Sequence, residues 1–123
     1  MYELLKRQLA ENGADVEGAL RRFIGNEALY VKFFLKLKDD PSYGDLNRNL
    51  EQGNYEEAFK AAHTLKGVSA NLGLTPLYQN ASAMTELLRR KNVSGIDPEQ
   101  VALQKKALEE SYQIFVRLIE ENT

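Results

Sequence analysis

The chain of 123 residues contains one histidine, His63, and no cysteine. An imidazole in water is mostly neutral near neutral pH, so one ring nitrogen carries a lone pair that can attack a phosphorus atom. His63 is therefore the side chain best suited to covalent chemistry. Another molecule can reach this imidazole only if the side chain points towards solvent, and the residues around His63 predict its orientation.

His63 lies in a predicted helix that begins after Asn54 and ends at Gly73. Asn is a frequent N-cap, Glu57 stands three residues later as in a capping box, and Gly often follows a helix end. At about 100° per residue, the apolar residues of this helix fall on the side opposite His63: Ala58, Ala61, Leu65, Val68 and Leu72. A lone histidine is often a core residue, but this arrangement predicts an imidazole that faces solvent.

Two lysines share the predicted face of His63. Lys60 and Lys66 fall at roughly 60° on either side of the imidazole, one turn before it and one turn after it. A phosphoryl group carries a charge of about −1.5 to −2 at pH 7, and two nearby ammonium groups suit such a charge. The alternative is that both are ordinary surface lysines.

Three further residues of this face predict a place where another protein docks. Gly67, within the helix, costs about 1 kcal/mol relative to Ala, and its lack of a side chain leaves room beside the ring. Ala70 and Phe59 add a small, partly apolar surface. Taken singly, Gly67 could instead permit close helix packing, and Phe59 could pack under the N-terminal segment.

The sequence from His63 to Gly67, His-Thr-Leu-Lys-Gly, followed by Ser69, Asn71, Leu72 and Gly73, resembles the signature of histidine-containing phosphotransfer (Hpt) domains of phosphorelays. The resemblance in helical plan covers roughly residues 25 to 122. It implies that His63 accepts phosphate, that Lys66 faces the phosphate and that Gly67 gives clearance. It also implies response-regulator receiver domains and a hybrid histidine kinase as partners.

A following predicted helix places Ser82, Thr85 and Arg89 along one edge of its apolar stripe. If this edge adjoins the His63 face, Thr85 would hydrogen-bond the imidazole and Arg89 would add positive charge for docking. Some members of the family carry a Gln near the Thr85 position that orients the ring. The alternative is that all three are boundary residues between core and surface.

The composition predicts one soluble domain spanning residues 1–123, with 43% hydrophobic and 28% charged residues. A net charge of −2 gives no basic field for nucleic acid. No apolar run is long enough to cross a bilayer and no signal peptide is evident. We therefore expect a cytoplasmic monomer that binds neither nucleic acid nor membrane.

The apolar spacing predicts an all-α fold without strands. Three N-terminal helices are expected within residues 1–39: one over 2–11, one capped by Asp15 with Leu20, Phe23 and Ile24 in its stripe, and one from 26 to about 38. The width of apolar surface on the third predicts burial against the rest of the fold, with a membrane-surface helix as the alternative.

Three prolines, each preceded by a capping residue, punctuate the rest of the chain at Asp40-Pro41, Thr75-Pro76 and Asp97-Pro98. They predict helices over about 41–52, 55–72, 75–91 and 98–121. The short connections, of which 92–96 is the longest irregular one, predict an up-down antiparallel four-helix bundle over about 41–122.

The sequence lacks a nucleotide-binding glycine loop and an evident metal site, so we expect no cofactor and no enzyme of the usual kind. Mg²⁺ and an aspartyl phosphate would then arrive on a receiver domain. The predicted function is a phosphorelay intermediate that accepts phosphate on His63 from one receiver aspartate and passes it reversibly to another. Two alternatives stay open: an adaptor that docks without carrying phosphate, and an excised domain of a larger histidine kinase.

Overall fold

The computed structural model describes residues 2–89 and 95–123, and within them the chain is helical with no strand. The elements in order are α1 (Glu3–Glu11), α2 (Val16–Arg22), α3 (Glu27–Leu35), a 3₁₀ segment (Leu37–Asp39), α4 (Ser42–Glu51), α5 (Tyr55–Asn71), α6 (Thr75–Arg89) and α7 (Pro98–Glu121). No helix in these ranges is long and apolar enough to span a bilayer. The predicted connection at 92–96 lies largely outside the described residues.

Helices α4 to α7 form a packed core. α5 packs most extensively against α6 and α4, and α7 packs against α6. The interior consists of fully buried large side chains from all four helices, among them Leu46, Leu65, Leu77, Met84, Leu108 and Phe115. The prediction of an all-α fold with this helical core and additional N-terminal helices is confirmed.

Three helix starts follow the predicted capping residues. Thr75 does not cap α6 as predicted, because it is the first residue of that helix and its hydroxyl donates to the Gly73 carbonyl at 3.5 Å. Asp15 accepts a hydrogen bond from the backbone N–H of Gly18 at 3.0 Å, and Asp97 accepts one from Glu99 at 3.0 Å. Asp40 accepts from the N–H of Ser42 at 2.9 Å. Since each bond satisfies a backbone donor that the first turn leaves free, these local signals predict helix starts well.

The capping box predicted at α5 is only half formed. The Asn54 side chain accepts from the N–H of Glu57 at 3.5 Å. The Glu57 carboxylate does not return the bond, because it pairs with the Lys60 ammonium at 3.1 Å, while the N–H of Asn54 donates to the Asn49 carbonyl at 2.8 Å. The capping box is therefore incomplete because Lys60 binds the Glu57 carboxylate and the Asn49 carbonyl accepts the N–H of Asn54.

The N-terminal region differs from the prediction at two places. Ile24, expected in the buried stripe of α2, lies beyond the end of that helix and is 93% exposed, with φ of +56°. The turn that closes α2, in which the N–H of Gly25 donates to the Leu20 carbonyl at 2.8 Å, rotates Ile24 away from the core. In addition, α3 ends at Leu35 rather than near 38, and the chain continues as the 3₁₀ segment.

The N-terminal helices close the C-terminal end of α5, where helix geometry leaves the last carbonyls without partners. The Arg22 guanidinium donates to the carbonyls of residues 70 and 71 at 2.6 and 3.1 Å. The Tyr30 hydroxyl donates to that of residue 72 at 2.8 Å, and the N–H of Asp15 to that of residue 73 at 2.7 Å. Four successive carbonyls thus have partners from the first 30 residues.

Gly73 is required at this junction. Its φ is +70°, and a Cβ on it would lie 2.4 Å from the backbone oxygen of Asp15. A side chain would therefore both strain the turn and push the N-terminal helices away from α5.

Candidate functional site

Helix α5 presents His63 to solvent, as its sequence predicts. Its buried residues are Ala58, Ala61, Ala62, Leu65 and Ser69, followed by Leu72 at the cap. His63 is exposed and Val68 is half-buried. The buried face extends beyond the predicted stripe on the side of Ala62 and Ser69, since α5 packs against both α4 and α6.

Phe59, one turn before His63, flanks the imidazole. The two rings are nearly parallel, with an interplanar angle of 11° and centroids 6.3 Å apart. This separation is within the range of favourable aromatic pairs. Phe59 is itself half-buried against the core, so it supplies a fixed apolar neighbour on one side of an otherwise accessible ring.

Arg89 from α6 reaches this group of side chains. Its guanidinium carbon lies 5.0 Å from the centroid of the Phe59 ring, a cation–π distance. Its Nε also lies 3.2 Å from the Glu86 carboxylate. The structure therefore brings Arg89 to the His63 face through Phe59, in agreement with the predicted edge of α6.

The two lysines that flank His63 have different surroundings. The Lys60 ammonium is 3.1 Å from the Glu57 carboxylate. Lys66 is half-buried, and among residues 2–89 and 95–123 no carboxylate lies within ion-pair distance of it. Lys66 therefore has the less compensated charge and is the better placed of the two to neutralise an incoming anion.

Gly67 and Ala70 form an open part of the same face. A Cβ built on Gly67 would have no atom within 4 Å, so the alternative that this glycine permits close helix packing is wrong. Ala70 is exposed as well. The helix surface beside His63 consequently has no large protruding side chain at Gly67 and Ala70, which leaves room for the backbone of another protein.

The predicted hydrogen bond from Thr85 to the imidazole is wrong. Thr85 is fully buried, and its hydroxyl donates to the Ala81 carbonyl one turn earlier at 2.7 Å. Thr hydroxyls in helices often make this bond to their own backbone. Ser82 is half-buried on the same edge. Of the three predicted edge residues, Arg89 has an observed contact with Phe59 beside His63.

Sequence reasoning missed Arg22, whose guanidinium binds the backbone under Ala70. The contact joins residues 48 positions apart, and no local pattern around Arg22 signals it. Burial raises the pKa of neighbouring Tyr30 to about 12, so its hydroxyl stays a hydrogen-bond donor at the end of α5.

In the described ranges no cluster of three or more His, Asp and Glu side chains could hold a metal ion.

Comparison with known proteins adds one match. A model of the Hpt domain matches residues 37–114, more than half of the chain, and includes α4, α5, α6 and most of α7. No curated protein and no solved structure matches. Helices α1 to α3, and Arg22 with them, lie outside the matched range.

Proposed function

Since the chain belongs to the Hpt domain family, we propose that His63 accepts a phosphoryl group from an aspartyl phosphate of one receiver domain and passes it reversibly to the aspartate of another. Domains of this family act in histidine phosphotransfer within phosphorelays. They interact with receiver domains, carry no cofactor of their own and are carriers rather than classical enzymes.

The observation that carries the proposal is the position of the single imidazole. His63 is exposed in the middle of α5 and faces away from the core. A lone pair on one ring nitrogen forms the N–P bond, the P–O bond of the acyl phosphate breaks, and its electron pair stays on the partner's carboxylate. The reverse reaction returns the phosphoryl group. Such transfer requires in-line approach, which an exposed ring permits.

Charge neutralisation is the second requirement, and Lys66 supports it. A phosphoryl group adds a charge of about −1.5 to −2, and Lys66 has no carboxylate partner in the described part of the chain. Arg89 and Lys60 are weaker contributors, because the Glu86 carboxylate lies 3.2 Å from Arg89 and the Glu57 carboxylate 3.1 Å from Lys60. Arg89 is nevertheless held next to the imidazole's neighbour Phe59.

The receiver would dock on a surface that we call the docking floor: Phe59, Gly67 and Ala70, with Lys60 and Arg89 at its margins. Its openness at Gly67 supports this role.

The reaction would use Mg²⁺ held by the receiver, and the first donor would be a receiver linked to a hybrid histidine kinase. We further propose that residues 1–123 act as one domain, as a monomer in the cytoplasm; the capping of α5 by the N-terminal helices supports the single domain.

The test is a phosphotransfer profile. Receiver domains charged with labelled phosphate are mixed with the chain, and the label on it is tested for stability in acid and base. Rapid transfer of an acid-labile, base-stable label from at least one receiver is expected. Binding to receivers with no label transferred would favour the adaptor alternative and would overturn the proposal.

A further inference from the structure

A cleft between α1 and α3 lies apart from the His63 face, and we call it the α1–α3 cleft. Its volume is about 780 Å³, within the range of about 300–1,000 Å³ that is usual for small-molecule sites. Among the described residues, those of α1, α3, the 3₁₀ segment and the C-terminal end of the chain line it, and none of α5 does. The Lys6 ammonium of α1 pairs with the carboxylate of Glu27, the first residue of α3, so the two helices on either side of the cleft are tied together.

The apolar wall of the cleft is aliphatic apart from one aromatic ring. It consists of Tyr2, Leu4, Leu5, Ala28, Val31 and Leu35. Leu5 and Val31 are buried members of the core, whereas Leu4 is 60% exposed and Ala28 is exposed as well. An aliphatic chain that entered the cleft would therefore remove the Leu4 side chain from water, and each buried methylene group of that chain would raise the affinity by up to about fourfold.

Three lysines line the same cleft: Lys32 and Lys36, one turn apart at the end of α3, and Lys38 of the 3₁₀ segment. All three are exposed, and within residues 2–89 and 95–123 none lies within ion-pair distance of a carboxylate. Among the described lining residues Asp39 is the one acidic side chain. The Lys36 ammonium is 6.0 Å from the centroid of the Phe33 ring, at the outer limit of a cation–π contact. The cleft thus carries an excess of positive charge, although the whole chain has a net charge of −2.

The Asn122 side chain also lines the cleft but is already bonded within the chain. Its amide nitrogen donates to the side-chain oxygen of Gln8 at 3.1 Å and to the Leu118 carbonyl at 2.7 Å. A primary amide has two hydrogens, so both are engaged. A ligand in the cleft would therefore meet apolar side chains and uncompensated ammonium groups.

We propose that the α1–α3 cleft binds a small amphiphile that joins an aliphatic chain to an anionic head group, the fatty carboxylates being the simplest such class. The chain would lie against Leu4, Leu5 and Val31, and the carboxylate would bind Lys32 and Lys36. A small anion without an apolar part would meet only exposed lysines, whose attraction salt screens. An uncharged hydrocarbon would leave the ammonium groups unused. The inference goes beyond phosphotransfer, because in the described part of the chain the cleft shares no lining residue with the docking floor.

The experiment follows the backbone amide signals of the whole chain by NMR while hexanoate, octanoate or decanoate is added below its micelle-forming concentration. Saturable shifts are expected in α1, α3 and the 3₁₀ segment. The Kd should fall by about two- to fourfold for each added methylene group. Uncharged octanol should bind about threefold more weakly than octanoate, because it forms no ion pair with the exposed lysines.

Two variants separate the apolar part of the site from the charged part. Leu4→Gln should raise the Kd for decanoate about fivefold, because it removes apolar area from the wall. Lys32→Gln should raise the Kd for octanoate about twofold to threefold and leave that for octanol unchanged. Both residues are exposed, so the unfolding temperatures should be nearly those of the wild type.

The matched controls lie on α7 and do not line the cleft. Leu103 is 65% exposed, and Lys106 is exposed as well. Leu103→Gln and Lys106→Gln should each leave the Kd for decanoate within about twofold of wild type, because they change surface hydrophobicity and charge at positions remote from the wall.

Three results would each overturn this inference and leave phosphotransfer by His63 standing, since that is measured separately with labelled receivers. The first is a decanoate titration without saturable shifts in α1 and α3. The second is octanol binding as tightly as octanoate, or equal losses for Leu4→Gln and Leu103→Gln. The third is binding to vesicles of anionic phospholipid without binding of monomeric decanoate, which would assign the lysines to a membrane surface.

Discussion

Substitution of Gly67 should affect folding stability and the rate of phosphotransfer in opposite directions, so it separates the two effects most clearly. It lies within α5, is exposed, and a Cβ on it meets no atom within 4 Å. Replacement of a helical Gly by Ala should therefore stabilise the fold by about 1 kcal/mol, and by Gln somewhat less, about 0.5 kcal/mol. If the clearance is needed for docking, Gly67→Gln should nevertheless transfer phosphate at least about tenfold more slowly, because small displacements of reacting groups have large kinetic costs. Gly67→Ala should fall between Gln and wild type.

The matched control is Gly44→Gln. Gly44 also lies within a helix and also has no atom within 4 Å of a built Cβ, but that helix is α4 rather than α5, which carries His63. Both Gln variants should gain stability in urea unfolding, by up to about 0.5 kcal/mol, while single-turnover transfer slows only for Gly67→Gln. Equal transfer rates for the two variants would refute the clearance argument. Destabilisation by Gly67→Gln would refute the open geometry.

Three further changes test other parts of the structure. His63→Gln should alter the unfolding free energy by less than about 1 kcal/mol, because the ring is exposed and its stacking on Phe59 is a weak contact. A loss of several kcal/mol in urea unfolding would contradict the outward orientation of the ring. Burial raises the pKa of Tyr30 to about 12, so between about pH 10 and 12 the folded state keeps this proton while the unfolded chain loses it. The hydroxyl's contribution to the unfolding free energy is therefore complete below about pH 10 and should fall by about 2–3 kcal/mol towards pH 12. Tyr30→Phe should lack this share of the alkaline loss when both proteins are unfolded across that range, and equal pH slopes would argue against the buried hydroxyl. Arg22→Gln should lower the unfolding free energy by about 1 kcal/mol, because it removes a cation and two hydrogen bonds from the C-terminal end of α5. The control is Arg21→Gln at the neighbouring exposed residue. Equal losses for the two variants would contradict the role of Arg22 in capping α5.

The sequence is informative where structure depends on nearby residues. The start and end of α5 follow from Asn54 and Gly73, because capping and a positive φ are local requirements. The outward direction of His63 follows from helical periodicity in the same way. These predictions needed only the identity of residues within a few positions.

The sequence is less informative where neighbouring elements compete for a group. Thr85 lies on the predicted edge of α6, but the depth of that edge depends on how closely α5 and α6 pack, and the hydroxyl turns to its own helix. The partners of Arg22 lie 48 and 49 residues away, so the docking of the N-terminal helices on α5 could not be derived from spacing. Ile24 shows the same limit, because a single turn decides whether an apolar residue faces core or solvent.

The site of phosphorylation tests the proposed function most directly. Wild type and His63→Gln are incubated with the same labelled receiver, and the label is located by mass spectrometry under alkaline conditions that preserve phosphohistidine. The proposed function predicts a phosphoryl group on His63 in the wild type and no label on the variant. A variant that accepts label as the wild type does, or a label located on any other residue, would contradict it.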